Sequence, residues 1–73
     1  MQKNHKYEAI FLPTKTGLVK IYIYGFKPYG SWGQVFASIN NVSVNMKGYN
    51  RKKTIIRALA KLNESLLNKN KDM

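Results

Sequence analysis

The chain has no cysteine, one histidine (His5) and three acidic residues, Glu8, Glu64 and Asp72. Without cysteine there is neither a disulfide nor a thiolate metal site, and so few carboxylates leave no donor set for a protein-ligated metal. No apolar run reaches the length of a membrane-spanning helix or a signal-peptide core, which implies a soluble, cytoplasmic protein with no membrane partner. General acid–base chemistry needs a positioned histidine or carboxylate. Those available sit in an N-terminal arm, at a strand edge, late in a helix and in the tail. No Gly-rich loop is followed by Lys-Ser/Thr to cradle a phosphate. These gaps argue against an enzyme and against a cofactor.

What the chain does have is positive charge. Its 13 Lys and Arg against three acids give a formal net charge of +10 in 73 residues. A field of that size favours an anionic partner: nucleic acid, an acidic protein surface or an anionic membrane. The membrane is the weakest of these, because the basic helix described below lacks the large aromatics of a lipid interface. The length fits one domain, near the lower limit for a single core without covalent staples.

Periodicity divides the chain into strands and one helix. Residues 1–6 read as a loose basic arm. Tyr7 to Leu12 reads as a strand with Ile10 and Leu12 on one face, and Pro13 to Gly17 as a turn. Leu18 to Phe26 alternates strictly, with Val19, Ile21 and Ile23 pointing one way and Lys20, Tyr22 and Tyr24 the other. After a turn at Lys27 to Ser31, Trp32 to Ile39 places Val35, Ala37 and Ile39 on one face. Trp32, Gln34, Phe36 and Ser38 take the other. Asn40-Asn41 is a two-residue hairpin signal, Val42 to Met46 a short strand, and Lys47-Gly48 a lead into a helix over residues 50–67. The tail, residues 68–73, is expected to fray. The predicted fold is therefore α+β: an antiparallel meander of three to four strands over residues 7–46, with one C-terminal helix packed on one face.

The helix start is unusual in its charge. Asn50 is a good N-cap, since its side-chain oxygen can accept from a first-turn N–H. The helix dipole favours acids there, yet Arg51, Lys52 and Lys53 occupy the first turn, each unfavourable by about a few tenths of a kcal/mol. An anion bound at that end would make the arrangement favourable. Ile55, Leu59, Leu62 and Leu66, flanked by Ile56, Ala60 and Leu67, form a broad apolar face. Lys53, Arg57 and Lys61 form a basic stripe opposite, whose mutual repulsion requires tertiary packing on the apolar side.

If the helix covers one sheet face, the other carries Lys20, Tyr22, Tyr24, Trp32, Gln34, Phe36, Ser38, Ser43 and Asn45, with nothing left in the chain to cover it. Rings that stack on bases beside lysines that neutralise phosphate suit nucleic acid. The same residues would also serve as cross-strand pairs that stabilise a small sheet, or as a homodimer face.

The run Lys47-Gly48-Tyr49-Asn50-Arg51-Lys52-Lys53-Thr54, then Ala58-Leu59 and Leu62, resembles a strand-to-helix junction found in two families. One is the arm-type DNA-binding domain of phage and transposon integrases, in which a three-stranded sheet enters the major groove ahead of a helix. The other is the final third of the double-stranded-RNA-binding domain, whose last helix opens on a basic run that contacts phosphates. The resemblance implies a nucleic-acid-binding module, with duplex DNA favoured over RNA. Arg51, Lys52 and Lys53 would then hold phosphates, with Asn50 and Arg57 beside them. Lys20, Tyr22, Tyr24, Gln34 and Phe36 would meet the groove, Ser38, Ser43 and Asn45 would add secondary contacts, and Lys47 would complete the nucleic-acid-binding set. The alternative from a different class is a small inhibitor or adaptor, of the kind phages encode, that binds an acidic surface of a host protein as a monomer or homodimer.

Overall fold

The computed structural model describes residues 7–71, with side chains through residue 67. The expected arm at residues 1–6 and the last two residues of the expected tail lie outside the described residues. Strands β1 (Tyr7–Pro13), β2 (Leu18–Gly25), β3 (Gly33–Ile39) and β4 (Val42–Gly48) precede helix α1 (Arg51–Lys71). The strands pair antiparallel in chain order, β1-β2-β3-β4. The domain is thus α+β, a four-stranded meander with one C-terminal helix.

Local chemistry sets the turns. Between β1 and β2, the Thr14 and Gly17 backbones exchange hydrogen bonds at 2.8 and 3.2 Å, and Thr14 Oγ1 donates to Gly17 O at 2.7 Å. Between β3 and β4, Asn40 takes the left-handed conformation (φ 55°) that the two-residue hairpin signal anticipates. The register then places Val19, Ile21 and Ile23 beside Val35, Ala37 and Ile39 on one face, buried under Ala58 and Leu62 of α1.

The helix begins as its sequence implies. Asn50 Oδ1 accepts from Lys53 N at 2.9 Å, while Asn50 O accepts from Thr54 N (2.9 Å) and Thr54 Oγ1 (2.7 Å). That last bond satisfies Thr54, which is buried. Thr54, Ala58 and Leu62 form the line that meets the sheet, with Ile55, Leu59 and Leu66 half-buried beside it. The apolar face is narrower than periodicity suggests, because Ile56 and Leu67 are each 56% exposed and Ala60 is also exposed. The helix also runs through Lys71 rather than ending at residue 67, since no Gly or Pro interrupts Asn68 to Lys71.

α1 lies over β3 and β4, and its backbone makes no close approach to β1 or β2. The β1 side of the core is consequently thinner. Leu12, on the same face as Ile10 and Val19 but beyond the reach of α1, remains 41% exposed.

The largest departure from the sequence reading is at Phe26. Unbroken alternation would place it with Tyr22 and Tyr24, whereas β2 ends at Gly25 and both Gly25 (φ 83°) and Phe26 (φ 66°) are left-handed. The double reversal turns the Phe26 ring into the core, where it is 5% exposed. It lies directly over Gly33, whose absent Cβ would fall 2.3 Å from the ring. A left-handed L-residue costs roughly 1–2 kcal/mol, and burying a phenylalanine returns about 1.5–3 kcal/mol, so burial wins. Trp32 lies outside β3, which starts at Gly33, and Lys47 and Gly48 belong to β4 rather than to a connector.

Candidate nucleic-acid interface

Cross-strand pairing turns the uncovered sheet face into a grid. Its first row is Tyr7, Tyr24, Gln34 and Lys47; the second is Ala9, Tyr22, Phe36 and Asn45; the third is Phe11, Lys20, Ser38 and Ser43. The structure therefore brings together seven sequence-predicted site residues, Lys20, Tyr22, Tyr24, Gln34, Phe36, Asn45 and Lys47. It adds Tyr7 and Phe11, which the sequence reading missed. Their signal was available, because a strand that buries Ile10 on one side turns Tyr7 and Phe11 to the other.

The rings form a connected strip across three strands. Tyr7 stacks on Tyr24 with centroids 5.3 Å apart, and Tyr24 meets Phe36 edge-on at 5.6 Å. Tyr22 makes edge contacts with Tyr7 at 5.9 Å and with Phe11 at 6.2 Å. The strip is open to solvent: Tyr7 is 53% exposed, Phe11 54%, Tyr24 39% and Phe36 38%. Lys47 stands at the β4 corner of the first row and Lys20 on β2 in the third row, between Phe11 and Ser38; both are exposed. Amides (Gln34, Asn45) and hydroxyls (Ser38, Ser43) fill the β3–β4 side. A recess of about 330 Å³ lined by Leu18, Lys20, Ser38, Ile39 and Asn40 indents the third-row end.

No described side chain on this face is acidic. Glu8 points to the helix side, where it accepts from Arg51 Nη2, and Glu64 lies on α1 facing Lys61. The field over the ring face is thus set by lysines alone.

The helix-start residues do not join this surface. Asn50, Arg51, Lys52, Lys53 and Arg57 belong to the element that covers the opposite sheet face, so the sheet separates them from the rings. Arg51 is engaged with Glu8, and Asn50 Oδ1 with Lys53 N. Lys52, Lys53 and Arg57 are exposed. The helix start does lie at the first-row end of the sheet, because β4 feeds it directly after Lys47-Gly48. Among the described residues there is no cluster of three or more His, Cys, Asp or Glu suited to a metal. No helix among them is long and apolar enough to cross a membrane.

No protein-family model, curated protein or solved structure matches the chain.

Proposed function

We propose that this chain is a non-catalytic nucleic-acid-binding module whose principal contact surface is the open sheet face. The observation that carries the reading is that face itself: a strip of half-exposed rings, the exposed lysines Lys20 and Lys47 on either side of it, amides and hydroxyls beside them, and no described carboxylate. Rings suit bases and sugars, the lysines suit phosphates, and the net charge of +10 draws the polyanion in from a distance. Lys52, Lys53 and Arg57 provide a second phosphate-binding stretch for a ligand long enough to pass around the first-row end of the sheet. The resemblance of Lys47 to Thr54 to integrase arm-type domains favours duplex DNA, whereas open rings suit unpaired bases, so the proposed ligand is nucleic acid without a choice of strandedness.

Titrating the full chain with mixed-sequence nucleic acid at a series of salt concentrations tests the proposal. Each neutralised phosphate contributes about −0.7 to −0.9 to the slope of log affinity against log salt, so contacts at both lysines give a slope of about −1.4 or steeper. A flat response, or no binding at low salt, would reject it. The second reading, an acidic protein partner, is favoured by Tyr29 (99% exposed) and Trp32 (50% exposed), aromatic anchors of the kind that dominate protein interfaces. It predicts affinity that depends on those two rings and only weakly on salt.

A further inference from the structure

We infer that the ring face takes single-stranded rather than duplex nucleic acid, with bases laid on the strip formed by Tyr7, Tyr22, Tyr24 and Phe36. The inference rests on the nucleic-acid reading above and narrows it to one ligand class.

Neighbouring centroids of these four rings lie 5.3–5.9 Å apart. Successive bases on one strand of a duplex rise only about 3.4 Å, and their faces are already stacked on each other. A duplex therefore offers the strip neither free base faces nor the right interval. A single strand can splay its bases and stretch to that interval at small cost, and every base has a face to stack.

Chemistry and shape point the same way. On the β3–β4 side the rings are flanked by the amides Gln34 and Asn45 and the hydroxyls Ser38 and Ser43, with Lys47 the one cation on β4 of this face. Gln34 and Asn45 can each donate and accept at a base edge once that edge is unpaired. The recess beside Lys20 and Ser38 gives a splayed base or its phosphate somewhere to sit at the third-row end. Lys47 on β4 in the first row and Lys20 on β2 in the third mark a diagonal that crosses Phe36, along which a backbone would keep its phosphates near a cation while its bases reach the rings. The cations on α1 are on the other side of the sheet and take no part in choosing between the two ligand forms.

The test uses the full chain and three probes of equal length, about 12 nucleotides each, within the span that small sheet modules cover: labelled oligothymidine, labelled oligouridine and a blunt mixed-sequence DNA duplex. The expected result is single-strand binding at least tenfold tighter than duplex binding. Tyr24→Ile, which removes the ring but keeps a strand-forming side chain, should lower single-strand affinity roughly five- to hundredfold. A measurement on the unaltered chain runs beside it. Oligothymidine should shift the ring-proton resonances of Tyr7, Tyr22, Tyr24 and Phe36 and leave the Ala60 and Glu64 amides unmoved. Equal or tighter duplex binding would overturn this inference and leave the broader nucleic-acid proposal standing. Single-strand preference with unmoved ring resonances would overturn the ring face as the contact. Binding to none of the probes at low salt would overturn both. Comparing oligothymidine with oligouridine assigns DNA or RNA within the supported outcome.

Discussion

Phe26 shows how one side chain can hold a whole corner of a small fold. Its ring fills the space over Gly33 and closes the sheet end where β2 and β3 separate. Phe26→Ala should cost about 3–5 kcal/mol, a large share of the stability of so small a domain, and should appear as a lower urea midpoint or outright unfolding. Gly33→Ala should cost about 1–3 kcal/mol by forcing the ring aside. If Gly33→Ala left the midpoint unchanged, the ring would not lie where it is described. Asn50→Ala should cost about 1 kcal/mol and Asn50→Gly only a few tenths, because the cap supplies one side-chain acceptor to Lys53 N. The cap could be read from residue type alone. Phe26 could not, since alternation carries no warning that two successive residues will turn left-handed, and only the tertiary gap over Gly33 makes that conformation favourable.

The strands and the helix were legible because their signals are local and agree with one another. The period-two pattern in β2 and β3 names the buried set Val19, Ile21, Ile23, Val35, Ala37 and Ile39, and the same register aligns the open grid. What periodicity could not supply was where α1 would lie across the sheet. A helix centred on the sheet would have used Ile56 and a wider apolar face; one lying over β3 and β4 needs only the Thr54, Ala58 and Leu62 line. The same placement splits the predicted site in two, because sequence spacing does not say which side of a sheet a residue reaches. The two halves can be separated experimentally. Lys20→Gln together with Lys47→Gln should flatten the salt slope for a short single strand by about 1.4, the share of two phosphate contacts. Lys52→Gln with Lys53→Gln should leave that slope nearly unchanged for a short probe and flatten it for a long one. The reverse pattern would make the helix start the primary contact.

At the scale of the whole molecule, stability is unevenly distributed. β2 and β3 are paired on both edges, and β4 lies under α1, while β1 has one neighbouring strand and no helix above it. The Glu8–Arg51 ion pair is its one side-chain tie to the helix among the described ion pairs. Both partners are substantially solvent-exposed, and such pairs are worth at most about 1 kcal/mol. Glu8→Gln should therefore lower the melting temperature by no more than a few degrees. Amide hydrogen exchange should be fastest, among the strands, at the β1 positions and slowest at Ile21, Ile23, Val35 and Ala37. Uniform protection across all four strands would show that β1 is held more firmly than its contacts suggest.

On the proposed reading, the off-centre helix also links recognition to local opening. Tyr7 and Phe11 ride on the strand most ready to detach, while Tyr24 and Phe36 stand on the two most firmly held. A ligand lying across all of them acts as a splint. It makes opening of β1 rarer by the ratio of its affinities for the closed and open forms, and a change that holds β1 fully open weakens the ligand by that same ratio. Binding strength and the fraying of one edge strand then become two readings of a single equilibrium.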